Sequence, residues 1–258
     1  TYITHDGISQ VVDREPIRLH GTVSRRGIKL VNWPTIFRSR GMDIEWEKIA
    51  GGSKLTDLPM EPIPPSEEPL PGVVVLGRFQ PFHLGHEYML ESASNWRNEN
   101  NPDAPLIIAI GSSNRPQNLR NPWTYLERGE MIESWAESNQ IENFQICSIP
   151  DIEDPPNWVT HASKYHGQGG VLVTTDVLTA ELYKASGWDV IQIPLEQRER
   201  FEGWRVRETA RMLSTIGDKN AIREVLGTLI PASVLEHLIE TNGFHRLAFM
   251  GEGGEPVG

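Results

Sequence analysis

From residue 72 onward the chain repeats one alternation, a short run of consecutive apolar residues followed by a longer stretch with helical spacing or composition. The runs are "GVVVLG", "APLIIAIGSS", "NFQICSIP", "GGVLVTT" and "WDVIQIP"; between them stand "HEYMLESASNWRNEN", "WTYLERGEMIESWAES", "NWVTHASKYH" and "VLTAELYKASG". Continuous apolar runs of this length suit strands buried on both faces, whereas one-sided strands alternate apolar with polar residues. Strand, helix, strand in regular succession implies a parallel sheet with helices on both faces, so the fold class is α/β. In such sheets ligands bind beyond the carboxyl ends of the strands, which directs attention to the loops after each run. The segment "AIREVLGTLIPASVLEHLIETNG" reads as two short closing helices.

The alternation does not begin at the first residue. Residues 59–71, "PMEPIPPSEEPLP", hold six prolines and three glutamates, a composition that resists helix and sheet. The expected division is a small β-rich module over 1–58, a proline-rich linker over 59–72, an α/β domain over 73–250 and a flexible tail over 251–258. In the first part "IRLHGTV" and "IKLVNW" read as two short strands joined by "SRRG". Arg18, Arg25, Arg26, Lys29, Arg38 and Arg40 fall there without an intervening acid, in a chain whose net charge is −11. They suit either a phosphate or RNA surface or a solvated hairpin face balanced by the acids after Asp43. The single cysteine, Cys147, excludes an internal disulfide and a cysteine-rich zinc site, and reads as a small buried apolar residue. No run is long enough to cross a bilayer and "TYITHDGISQ" lacks a secretory pattern, so a cytoplasmic protein with no membrane partner is expected.

The chemistry concentrates after the first apolar run, in "GRFQPFHLGH". Gly77 permits a sharp turn, and Gly85 lets backbone approach a ligand closely. His83 and His86, three apart, fall on the first turn of the following helix, where free N–H groups and the positive end of the dipole favour an anion. Arg78 adds a forked cation. Two histidines at this spacing could also bind a metal, but no third ligand stands at a supporting distance, so no metal site is expected. The lysine-bearing P-loop pattern is absent.

At this point the sequence resembles a family. "GRFQPFHLGH" is similar to the HxGH signature of nucleotidyltransferases, in the form found in archaeal-type nicotinamide mononucleotide (NMN) adenylyltransferases. "IGSSNRPQNLRNPWTYLERGEMI", "IPDIEDPPNWVTH", "PLEQRERFEGWRVR" and "LIPASVLEHLIETNGFHRL" continue the likeness in order, over roughly residues 73–247. The resemblance implies a Rossmann-like nucleotidyltransferase domain, with Mg²⁺ on the phosphates of ATP. The 5′-phosphate of NMN would attack the α-phosphorus and expel pyrophosphate, giving NAD. Such a reaction asks the protein for positioning and charge neutralisation rather than a nucleophile.

Carried over by position, His83, His86 and Arg207 are expected to act in catalysis. Gly77, Arg78, Phe79, Gln80, Gly85, Arg120, Asp176, Gly203 and Arg205 are expected around ATP and the phosphates. Ile152, Asn157 and Trp158 are expected at the nicotinamide ring, where an indole offers a π face and an amide can pair with the carboxamide. Family members often assemble, so the resemblance also implies a homo-oligomer.

Two stretches depart from the pattern. Where the family has a hydroxyl-rich [ST]-G-T, this chain has Glu202 and Trp204 around Gly203; where it has SGN, this chain has Thr174, Thr175 and Asp176. A carboxylate beside a triphosphate is repulsive, so Arg205 and Arg207 must compensate, the loop must be displaced, or ATP must bind weakly. The departures leave open transfer with a different nucleotide pair, or a nucleotide-sensing or RNA-binding module without turnover.

Overall fold

The computed structural model describes residues 58–152, 154–195 and 201–250, and four short strands nearer the N-terminus. Contacts divide the chain into two units, Thr1–Ile44 and Glu45–Gly258. In the first unit β1 (Tyr2–Ile3) pairs antiparallel with β2 (Ser9–Gln10), and β3 (Val23–Ser24) with β4 (Gly27–Ile28). The second pair falls where a hairpin was expected around "SRRG". The remainder of the two expected strands, Arg18, Arg25, Arg26, Lys29, Arg38 and Arg40, and the tail 251–258, lie outside the described residues. The proline-rich stretch belongs to the larger unit, where the carbonyl of Glu61 accepts a hydrogen bond from Ser113 Oγ at 3.0 Å.

The larger unit is built on five parallel strands: β5 (Val73–Gly77), β6 (Leu106–Ile110), β7 (Phe144–Ser148), β8 (Val171–Thr174) and β9 (Asp189–Gln192). Their order across the sheet is β7-β6-β5-β8-β9. Val73 of β5 is level with Leu106 of β6 on one side and Val171 of β8 on the other. The chain thus winds outward from β5 to β7, then jumps back to lay β8 against the other side of β5. That reversal opens a crevice at the carboxyl ends of β5 and β8, where side chains of different loops can meet. The three inner strands match the expectation of burial on both faces. The outer strands β7 and β9 are only half-buried, because an edge strand has one flank and part of each face uncovered. Cys147, on β7, is correspondingly half-buried rather than buried.

The helices are α1 (Leu84–Asn100), α2 (Tyr125–Ser138), α3 (Trp158–His166), α4 (Val177–Ala185), α5 (Gly203–Leu213), α6 (Lys219–Leu226) and α7 (Ala232–Glu240); all but α5 follow the expected helical stretches. Among the described residues no helix is long and apolar enough to cross a membrane. Local chemistry sets the helix starts. In α2, Thr124 Oγ1 accepts from the Glu127 N–H while Glu127 Oε2 accepts from the Thr124 N–H, a reciprocal cap. Trp135 of α2 is fully buried, stacks near Phe82 and donates its indole N–H to Glu87 at 3.0 Å, joining α2 to α1. Phe82, Leu90, Trp123, Met131 and Leu235 belong to the same apolar core, which fixes the base of the crevice.

Candidate active site

The loop from β5 to α1 carries the two histidines, and its shape follows from a cap of unusual composition. His83 is the N-cap of α1: its Nδ1 accepts from the Gly85 N–H at 3.2 Å, and His86 Nδ1 accepts from the His83 N–H at 3.3 Å. The two imidazoles do the work that a Ser/Thr and a Glu do in α2, and their rings stack with centroids 3.8 Å apart. Because each Nδ1 is an acceptor, each ring is neutral with its proton on Nε2. Burial and the neighbouring Arg207 push His83 down to about 4, and burial with His83 holds His86 well below the usual histidine range. Each ring therefore keeps one Nε2–H donor, and that of His83 faces the start of α5.

This cap changes the expected source of phosphate contacts. The first-turn N–H groups of α1 are already spent: Leu84 donates to the Leu229 carbonyl, Gly85 to His83 Nδ1, and His86 to the His83 carbonyl. An anion at α1 meets imidazole N–H rather than backbone. Gly85 is likewise needed for a different close approach than a ligand's, since a methyl there would stand 2.9 Å from Phe201 Cβ and 3.1 Å from the His83 ring. Phe79 and Gln80 shape the loop rather than reach the crevice. Phe79 is fully buried against Phe82 and His86, at a φ of +51° that a bulky residue adopts only when packing holds it. The Gln80 amide exchanges two bonds with the main chain of Trp123, at 2.7 and 3.1 Å, and so locks this loop to "NPWT".

Opposite the histidines stands the start of α5, which locates the late stretch "EGWRVR". A methyl placed on Gly203 would lie 3.2 Å from Arg207 Nη1 and 3.9 Å from His83 Nε2. Arg207 donates to the Gln80 carbonyl at 2.6 Å, which sets its guanidinium across the gap between the two elements. Its N-cap, Glu202, gives α5 no side-chain cap, and no described acceptor meets the N–H groups of Gly203 and Trp204. Glu202 instead accepts from the Trp204 indole N–H at 2.7 Å and from Arg205 Nε at 3.3 Å. Its charge is engaged within the helix start by Trp204 and Arg205.

Arg78 and Arg120 complete the rim. Arg78 donates to the Arg120 carbonyl at 3.1 Å and to Asn121 Oδ1, while Asn118 Oδ1 holds the turn by accepting from the Arg120 and Asn121 N–H groups. Neither Arg78, Arg120 nor Arg207 has a carboxylate within ion-pair distance among the described residues. Crowding by protein atoms, with Arg115 and Arg120 nearby, lowers Arg78 against the opposing pull of Asp151; burial, Arg78 and Arg120 push Arg207 down to about 9 against that of Glu208. Like charges held together without counter-ions cost energy unless an anion joins them.

Arg128 was not singled out in the sequence, although the "ER" pair at the head of α2 contains it. It is 1% exposed and donates to the carbonyls of Arg78 and Gly111, both at 2.8 Å, and of Ser112 and Thr124, both at 3.2 Å. One buried guanidinium thus ties the loops after β5 and β6 to α2, and burial pushes it down to about 9. Its partner in the pair, Glu127, is held low by Arg246 and the Thr124 groups despite burial, and Arg246 also donates to the Pro122 carbonyl at 3.2 Å.

The remaining expected residues occupy the neighbouring loops. Asp176 caps α4, accepting from the Thr179 N–H and Oγ1 at 2.9 and 3.0 Å, so one of its oxygens is committed to the helix start. The loop after β7 is pinned to the loop after β6 by Arg115 with Asp151 at 2.6 Å and by Asn114, which pairs with the Asp151 main chain. Ile152 is half-buried on that loop; Asn157 is exposed and bonds Asp154 at 2.6 Å; Trp158 is half-buried with its edge against Tyr183. The structure brings Gly77, Arg78, His83, Gly85, His86, Gly203 and Arg207 together around the crevice, and places Ile152, Asn157 and Trp158 on the β7 side.

A parallel sheet with this reversal, a two-histidine helix cap and a facing helix start carrying arginine define a nucleotide-binding α/β domain. The chain belongs to the cytidylyltransferase-like family, whose pattern matches residues 74–222. It is 31% identical over 172 residues to the nicotinamide-nucleotide adenylyltransferase of Methanolobus tindarius, covering 67% of this chain and 90% of that one. It is 30% identical to the enzyme of the same name from Thermoplasma volcanium, covering 71% of this chain and 94% of that one. A solved structure of a bifunctional NMN adenylyltransferase/ADP ribose pyrophosphatase from Francisella tularensis, complexed with AMP and a Mn ion, aligns with a TM-score of 0.47 at 22% identity. That alignment covers 69% of this chain and 52% of the other, so this chain spans about half of that protein.

Proposed function

We propose that the chain is an NMN adenylyltransferase, joining ATP and NMN to NAD and pyrophosphate. The observation that carries this reading is the convergence of Arg78, Arg120 and Arg207, with no ion-pair partner among the described residues, on the stacked imidazole pair and the open start of α5. It fits a triphosphate and a second phosphate, and the relatives named above act under that name.

In the reaction an oxygen of the NMN 5′-phosphate, already ionised at neutral pH, forms a bond to the α-phosphorus of ATP. The bond between that phosphorus and the bridging α–β oxygen breaks, and the electron pair leaves on pyrophosphate. No proton must be removed from the nucleophile, which is why neutral donors and fixed cations suffice. The imidazole Nε2–H groups and Arg207 stabilise the charge that develops on the triphosphate oxygens, the N–H groups of Gly203 and Trp204 take a phosphate, and Arg78 and Arg120 hold the acceptor phosphate or the triphosphate. Asn157 and Trp158 receive the nicotinamide ring. Among the described residues no three His, Cys, Asp or Glu side chains gather into a metal site. The donors are cations and N–H groups, so a divalent cation such as Mg²⁺ fits this site as part of the nucleotide substrate.

The departures in "TTD" and "EGW" favour transfer with a different nucleotide pair, and two contacts weigh against that second reading. Asp176 is used as a helix cap, and Glu202 is engaged by Trp204 and Arg205, so neither carboxylate is a bare charge facing the phosphates. The test is to incubate the protein with Mg²⁺, ATP and NMN, and in parallel with other nucleoside triphosphates and FMN, measuring pyrophosphate and dinucleotide. NAD formation is expected; product from another pair alone moves the assignment to that pair, and no product with any pair assigns a binding module.

A further inference from the structure

Trp204 occupies the first turn of α5, beside the two N–H groups assigned to phosphate and one turn ahead of Arg207. It is 51% exposed. It is also held. Its N–H donates to Glu202 at 2.7 Å, and the Arg205 guanidinium lies 4.6 Å from the ring centroid. Arg205 in turn bonds Glu202, so acid, indole and guanidinium form one closed triangle. No described aromatic ring stacks on the indole, so a large flat surface stands at the mouth of a phosphate site with its orientation already fixed.

An ordered, half-exposed indole backed by a cation suits a second flat ring. We propose that Trp204 is the platform on which the purine base of the nucleoside triphosphate stacks, and that Glu202 and Arg205 are positioning residues that hold it. The proposal rests on reading the crevice as a nucleoside-triphosphate site. It gives the replacement of hydroxyls by "EGW" a function: part of the affinity moves from phosphate contacts to the base. Stacking on an aromatic face tolerates different bases, so the platform supplies affinity for the ring rather than a reading of its edges. Fixing the indole before the ligand arrives reduces the ordering cost of binding.

The experiment compares equilibrium binding of Mg·ATP and of inorganic tripolyphosphate to the full chain and its Trp204→Ala and Trp204→Phe variants, followed by calorimetry. Expected is a loss of about tenfold in ATP affinity for Trp204→Ala, partial recovery in Trp204→Phe, and tripolyphosphate affinity within about twofold throughout. Equal loss for both ligands shows that the indole merely supports the helix start and overturns the proposal, as does unchanged ATP affinity. A changed oligomeric state with unchanged ATP affinity assigns the ring to a subunit contact and also overturns it. Since the readout is binding, it holds whether or not NAD is formed; a chain that binds ATP through Trp204 but yields no NAD refutes the proposed reaction and leaves the platform standing.

Discussion

At the scale of residues, the histidine pair joins stability to chemistry through opposite sides of the same rings. Nδ1 of each ring caps α1 while Nε2 stays a donor, that of His83 toward the start of α5, so replacement of His83 by alanine removes both roles at once. His83→Asn separates them, because asparagine is among the strongest N-caps yet brings no Nε2–H donor. Its expected result is a thermal midpoint close to the parent's and turnover lower by about a hundredfold, the scale of losing one oriented donor. His86→Ala is expected to lower turnover far more than stability; equal turnover in that variant refutes a catalytic role. Arg207→Ala is expected to raise the ATP requirement while the fold persists, measured as KM for ATP against KM for NMN.

The pair also predicts a pH dependence. His83 titrates at about 4 when folded and near 6.5 when unfolded, so between those values the unfolded chain binds more protons. Stability is therefore full above about pH 6.5 and falls as the pH drops toward 4, by up to roughly 3 kcal/mol for this group. Urea unfolding at pH 7.5, 6 and 5 without nucleotide checks this: midpoints are expected to decline steadily, and His83→Asn is expected to flatten the decline.

At the scale of elements, the site depends on loops being fastened to one another. Arg128 donates to four carbonyls on three segments, so Arg128→Met leaves buried acceptors unpaired and is expected to cost about 3 kcal/mol in urea unfolding. Exposed Arg223, bonded to Glu236, offers the contrast: Arg223→Met is expected to leave the urea midpoint nearly unchanged. The difference marks what the sequence could tell. The apolar runs announced five strands and the stretch "WTYLERGEMIESWAES" announced α2, because periodicity and composition are local. That His83 and His86 would act as a cap themselves was not visible, since imidazoles are uncommon in that role and the spacing also suited phosphate contact. Nor could composition show that Phe79 and Gln80 are consumed by packing, or that Arg128 reaches across to the β5 and β6 loops. Those roles depend on which loops the sheet order brings together.

At the scale of the whole molecule, an acidic chain concentrates three arginines at one crevice. Its net charge is −11, yet Arg78, Arg120 and Arg207 lie near one another and none has a carboxylate within ion-pair distance among the described residues. The surface repels polyanions while the crevice draws them, which selects a ligand small enough to enter. Long nucleic acid must lie along the acidic exterior, whereas a nucleotide places its phosphates among the arginines alone. Salt separates the two cases. Surface-driven nucleic-acid binding falls steeply with ionic strength, because each neutralised phosphate releases counter-ions. Half-buried Arg207 is screened less than a fully exposed charge, so the ATP requirement is expected to rise only a few-fold between 50 mM and 200 mM salt, with exposed Arg78 and Arg120 accounting for the rise. Measuring KM for ATP and competition by single-stranded RNA at both concentrations tests the pair. Weak RNA competition at either salt, with a modest rise in KM, is the outcome for a nucleotide enzyme; RNA competition that is strong at 50 mM and collapses at 200 mM assigns the six basic residues of the first unit to nucleic acid. Removing residues 1–44 discriminates further, because the larger unit carries its own core and every described site residue. The shortened chain is expected to keep its KM for ATP, and any RNA competition that disappears with those residues belongs to them.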